Sequence, residues 1–117
     1  MVQTQDLTDL VVTALEDMKG IDIRCLDVRG ITSITDWMVI ASGTSDRHVK
    51  SLAGRIADRA REAGVFVIGM EGEADGDWVL IDLGDVIAHV MLPKARDFYQ
   101  LEKLWQSGDE STRRAES

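Results

Sequence analysis

Residues 41–48, Ala-Ser-Gly-Thr-Ser-Asp-Arg-His, place a glycine turn directly ahead of a helical pattern. Amide N–H groups exposed at such a corner can hold an anion. The stretch lacks the lysine and spacing of a Walker loop and the glycine set of a Rossmann turn. Asp46, in the first helical turn, would also oppose an incoming phosphate. The simpler reading is a capped turn with Thr44 or Ser45 as N-cap. Acidic residues form a second group. Glu71, Glu73, Asp75 and Asp77 occur together with no base among them, and Asp82-Leu83-Gly84-Asp85 follows. Nucleotidyltransferases hold divalent ions with paired aspartates on a strand. Here Asp75 and Asp77 fall in a glycine-rich loop, Asp85 sits in a hairpin, and no EF-hand spacing is present, so a solvated acidic loop is the better explanation.

The two histidines, His48 and His89, lack a second His or a Cys at ligand spacing, so no transition-metal site is expected. His89 shares one side of its strand with Ile87 and Met91, opposite the apolar set Val86, Ala88, Val90 and Leu92. A recognition residue on a sheet face and a core residue are equally good readings of it. Cys25 is the one cysteine. It excludes an intrachain disulfide and a multi-cysteine zinc site, and its apolar neighbours read as a buried small hydrophobe in a reducing compartment. No base can be assigned to it or to any serine from spacing. Of three tryptophans, Trp37 and Trp105 suit packing roles. Trp78 follows the acidic run and begins an apolar strand, which suits an interface hot spot facing a basic partner. No catalytic residue, metal ligand or cofactor is assigned.

These residues need a framework, and the apolar pattern supplies one. Leu7, Leu10, Val11, Ala14, Leu15 and Met18 form a helical stripe, capped by Thr4 or Asp6 and stopped at Gly20. Ile23–Val28 and Trp37–Ala41 read as strands, the second with no alternation, as for a strand buried on both faces. Val49, Leu52, Ala53, Ile56, Ala57 and Ala60 form a second helical stripe that ends at Gly64. Val65–Met70 reads as a strand, and strand, helix and strand in that order predict a parallel pair through a right-handed crossover. Trp78–Leu83 and Val86–Leu92 are joined through Gly84-Asp85, a hairpin signal. Pro93 opens a last helix with Phe98, Leu101, Leu104 and Trp105. The pattern predicts an α/β fold with a mixed five-stranded sheet and covering helices: one domain over 1–105 and a polar, disordered tail over 106–117.

Composition narrows the function classes. A chain that is 44% hydrophobic and 29% charged is ordinary for a soluble globular protein. No apolar run approaches the roughly 20 residues that span a bilayer, and the start carries Asp6 and Asp9 where a secretory signal has bases, so a cytoplasmic protein is expected. The net charge of −8 repels bare nucleic acid and suits a basic protein surface.

Ser33-Ile34-Thr35-Asp36, the run Val39–Val49, Glu71-Gly72, the run Trp78–Met91 and Phe98–Trp105 together closely resemble the ribosomal silencing factor family, also called the Iojap family. The resemblance runs in order from about Leu7 to Trp105. It implies a nucleotidyltransferase-like sandwich that lacks the paired catalytic aspartates. It also implies a non-enzymatic repressor of translation, which binds the large ribosomal subunit at protein L-fourteen and blocks joining of the small subunit. Homodimers are a further implication.

Strand alternation puts Trp78, Leu80 and Asp82 on one face and the apolar Val79, Ile81 and Leu83 on the other. The expected contact patch for the ribosomal protein is therefore Trp78, Asp82, Asp85, His89 and Met91, with Tyr99 at its margin and the acidic loop beside Trp78. Two other readings stand beside it. One is a nucleotidyltransferase-type enzyme using the Ser42-Gly43 corner and the acidic pairs. The other is an adaptor in large-subunit maturation with no repressive role.

Overall fold

The computed structural model describes residues 4–99 of the chain. Leu101, Leu104 and Trp105 of the expected last helical stripe, and the polar stretch 106–117, lie outside them. The elements are α1 (Thr4–Asp17), β1 (Ile21–Asp27), β2 (Trp37–Ser42), α2 (Asp46–Glu62), β3 (Gly69–Glu71), β4 (Trp78–Asp82), β5 (Val86–Met91) and α3 (Pro93–Tyr99). The five strands form one mixed sheet in the order β1-β2-β5-β4-β3. Only β2 and β5 pair in parallel; the other neighbours are antiparallel. The expected fold class holds.

Two details of the expected topology are corrected. The parallel partner of β2 is β5, not β3, which lies at the far edge against β4. Burial explains the choice. Every residue of β5 is buried, so it must occupy the centre, whereas β3 is half-exposed and tolerates an edge. The strand expected over Val65–Met70 is also shorter, with ladder pairing only from Gly69. The Ile68 N–H already reaches the Asp82 carbonyl of β4 at 2.9 Å, but Val65 is occupied otherwise. The Val65 N–H closes the end of α2 on the Ala60 carbonyl at 2.8 Å while Gly64 bonds to Arg61, a Schellman ending.

The sheet separates two apolar layers. On one face Val39, Ala41, Val79, Ile81, Leu83, Val86, Ala88 and Val90 pack against the stripes of α1 and α2. On the other, Leu26, Val28, Met38, Ile40 and Met91 pack with Trp78 and with Ala95 of α3. Arg96 anchors α3 over this second face: its Nη1 donates to Ser42 Oγ at 3.0 Å and its Nη2 lies 3.7 Å from Asp22 Oδ2.

The corner after β2 is built as a capped turn. Ser45 is the N-cap of α2, and its Oγ accepts the His48 N–H at 3.1 Å. His48 Nδ1 accepts the Thr44 N–H at 2.9 Å, so Nε2 carries the proton and donates to the Met18 carbonyl at 2.8 Å. His48 thereby ties the corner to the end of α1. Arg59 adds an ion pair to Asp17 at 2.7 Å between the same two helices.

The acidic loop is held from both sides. A Cβ on Gly76 would lie 2.8 Å from Asp46 Cβ and 2.9 Å from Lys50 Cε. Gly72, at φ +91°, lies so close to the Trp78 carbonyl oxygen that a Cβ there would overlap it. Gly72→Ala is therefore expected to lower stability by about 3 kcal/mol, from left-handed backbone strain plus the clash. Gly30→Ala, at φ +88° with nothing within 4 Å, should cost only about 1 kcal/mol. Urea unfolding of both variants measures the difference, and equal losses would show that the loop yields to the added methyl.

Candidate functional site

Trp78 opens β4 directly opposite Met91, with Leu80 opposite His89 and Asp82 opposite Ile87. The indole Nε1–H donates to His89 Nδ1 at 3.0 Å, and the two rings lie 5.8 Å apart at 49°. This hydrogen bond fixes the indole and places the proton of the neutral imidazole on Nε2. His89 is 6% exposed, and burial pulls its pKa from 6.5 down to about 4. The ring is neutral at pH 7 and belongs to the core, which decides between the two readings the strand pattern left open.

The structure brings some of the expected patch together and spreads the rest. Trp78, His89 and Met91 form one cluster, but His89 and Met91 are buried beneath it, Met91 completely. They support the surface and do not present to a partner in this chain. Asp82 lies at the other end of β4, about 13 Å from Trp78 along the strand. It is half-buried, and its Oδ1 accepts the Gly84 N–H at 2.9 Å, a turn-closing contact. Asp85 is exposed, and its carbonyl holds the N–H groups of Asp36 and Trp37 at 3.1 and 3.0 Å. Tyr99 ends α3, and its side chain lies outside the described residues. The patch is thus a strip along the β4–β5 hairpin with Trp78 at one end and Asp85 at the other.

Sequence reasoning placed the acidic loop beside Trp78 but missed the cavity between that loop and α3. A cavity of about 550 Å³ is lined by Gly72, Asp75, Asp77, Trp78, Leu92, Lys94 and Ala95. The acidic loop forms one wall and the start of α3 another, and the Leu92 N–H bonds to the Asp77 carbonyl at 2.9 Å where they meet. The readable signal was Pro93, one residue beyond the end of β5, which starts α3 where the Leu92 N–H meets the Asp77 carbonyl just before β4. Arg96 was also missed, because nothing in its sequence surroundings marks it as buried.

The residues weighed for catalysis are occupied structurally. Ser42 receives Arg96, Ser45 caps α2, and His48 spans Thr44 and Met18. Burial, with Asp9 nearby, pushes the Cys25 thiol up to about 11, so it stays protonated. Among the described residues, no three or more His, Cys, Asp or Glu side chains gather where they could hold a metal ion. No helix among them is long and apolar enough to cross a membrane.

The fold defines an α/β protein with a cavity lined by Trp78 and by Asp75 and Asp77 of the acidic loop. A family model described as ribosomal silencing factor during starvation matches residues 2–117. The ribosomal silencing factor of Chromobacterium violaceum is 47% identical over 104 residues, covering 89% of this chain and 85% of that protein. A crystal structure from the same organism superposes with a TM-score of 0.88 at 47% identity, over 89% of this chain and 87% of that one. Mouse mitochondrial assembly of ribosomal large subunit protein 1 is 33% identical over 100 residues, 83% of this chain and 44% of that protein. The chain belongs to the ribosomal silencing factor family, and so to the ribosome-associated regulators of translation.

Neutral His89 has a consequence for stability. Its folded pKa lies below its unfolded value, so the unfolded chain takes up the proton first as pH falls. Its contribution is complete above about pH 6.5 and is lost between there and about pH 4. The loss should reach about 3 kcal/mol. Asp27, whose carboxyl the Arg29 hydrogen bond holds below the usual range, contributes in the same direction only at still lower pH. Urea midpoints at pH 7 and 4.5 should differ far more for wild type than for His89→Asn, which keeps an acceptor for Trp78. An equal pH dependence in both would show that His89 is not the group responsible.

Proposed function

We propose that the protein binds the large ribosomal subunit at protein L-fourteen and represses translation by occupying the space the small subunit needs. The observation that carries this reading is the family match over residues 2–117. The geometry supports it. Steric blocking requires a rigid body and a complementary surface, not chemistry. The sheet is covered on both faces, and the strip from Trp78 to Asp85 with the adjoining acidic loop suits a basic protein surface. Within that strip Trp78 is the anchor, with Asp82 and Asp85 flanking it, His89 and Met91 supporting from below and Tyr99 at the margin. In this reading the protein acts in the cytoplasm, without cofactor, metal or catalysis, and forms homodimers.

A second reading, an adaptor in large-subunit maturation, is favoured by the name of the mouse relative, which refers to large-subunit assembly. The two readings share a partner and differ in outcome. Purified protein added to separated, mature subunits decides between them. Repression predicts co-sedimentation with large subunits only and reduced subunit joining by light scattering. Maturation alone predicts unimpaired joining.

Trp78→Ala is expected to weaken large-subunit binding by about 30- to 1,000-fold. It also removes the donor to His89, so Asp85→Lys is the surface control. That variant should keep the wild-type melting temperature and lose about tenfold in affinity. Wild-type affinity in both variants would place the interface elsewhere on the molecule.

A further inference from the structure

The cavity beside Trp78 has two kinds of wall. One is apolar, from Trp78, Leu92 and Ala95; the other comes from the acidic residues Asp75 and Asp77 of the loop. An arginine or lysine side chain has the same division, an apolar stem ending in a cationic head. The stem would lie against Leu92 and Ala95 while the head meets the indole face and the carboxylates, combining a cation–π contact with charge attraction.

The walls are set before any ligand arrives. The Trp78 ring is fixed by its 3.0 Å hydrogen bond to buried His89. The acidic loop is pinned at Gly72 under the Trp78 carbonyl, at Gly76 against Asp46 and Lys50, and at Asp77 by the Leu92 N–H. The loop backbone therefore does not have to be ordered on binding, which removes part of the entropic cost of a polar contact. The cavity volume of about 550 Å³ accommodates one long side chain with its backbone.

We propose that this cavity is the receptor for one basic side chain, arginine or lysine, of the protein partner that docks on the sheet. The proposal rests on the reading that the partner is a ribosomal protein. It adds where on this chain the principal cationic contact is made. Lys94 sits on the rim of the same cavity, and its ammonium opposes an incoming cation.

The test has one arm without ribosomes and one with them. In the first, N-acetyl-arginine methylamide is titrated into the full chain and the Trp78 indole N–H is followed by NMR. A millimolar dissociation constant is expected, with the neutral isostere acetyl-citrulline methylamide about tenfold weaker. Asp75→Asn/Asp77→Asn should weaken the arginine derivative by about tenfold, and Lys94→Gln should tighten it by about threefold. Equal binding of the citrulline derivative would overturn the proposal. So would no binding at all, or acetate binding that Lys94→Gln abolishes, since the cavity would then be an anion site.

The second arm compares large-subunit co-sedimentation of Asp75→Asn/Asp77→Asn with Glu71→Gln/Glu73→Gln, which removes the same charge from residues outside the cavity lining. A tenfold loss in the first variant with less than about threefold in the second supports the proposal. Equal losses would reduce the effect to overall charge and overturn it. If wild-type protein bound no large subunits, the ribosomal reading would fall, while the titration would still decide the chemistry of the cavity.

Discussion

The parallel pairing of β2 with β5 is the constraint from which the rest of the molecule follows. Val39, Ile40, Ala41 and all of β5 are buried, so this pair must be covered on both faces. Parallel pairing also requires a long connection between the two strands. The chain between them forms α2, crosses to the far edge as β3, and returns through the β4–β5 hairpin. The stripes of α1 and α2 close one face. Burial of Leu26, Met38, Ile40 and Met91 closes the other, and Trp78 and Ala95 contribute to it.

The corner Ser42–His48 is where these layers are locked together. Ser42 receives Arg96 from α3, the Gly43 N–H reaches the Met91 carbonyl of β5, Ser45 caps α2, and His48 reaches the last turn of α1. A motif whose composition suggested anion binding or catalysis is thus a structural joint. The side chains of Ser42, Ser45 and His48 each meet a defined partner, as buried or half-buried polar groups require.

The same economy of polar groups shapes the surface around Trp78. His89 would be a poor buried residue without a donor for Nδ1, and Trp78 would leave an indole N–H unsatisfied at the edge of an apolar layer. Each solves the other's problem, and the result is a rigid aromatic at the rim of a cavity. Opposite it, a loop with Glu73 and Asp75 between the constrained glycines Gly72 and Gly76, and Glu71 and Asp77 on either side, holds its acidic residues exposed.

The sequence by itself determined the elements, because their signals are local. The helical stripes of α1 and α2, the unbroken apolar runs of β2 and β5, the Gly84-Asp85 turn and the Pro93 start are each set by residues within a few positions of one another. Alternation likewise assigned Val79, Ile81 and Leu83 to the core side of β4 and Trp78, Leu80 and Asp82 to the other. The ordered motifs, taken together, were specific enough to mark the family. Tertiary structure alone decided that β5 lies beside β2, since competition for the doubly buried centre depends on all strands at once. It decided that His89 and Met91 are buried, because burial of a mixed strand face depends on what packs over it. It also decided that Asp75, Asp77 and Lys94 meet Trp78 around one cavity. Those residues come from a loop, a strand and a helix whose approach is fixed by the sheet, and no local pattern encodes a distance between them.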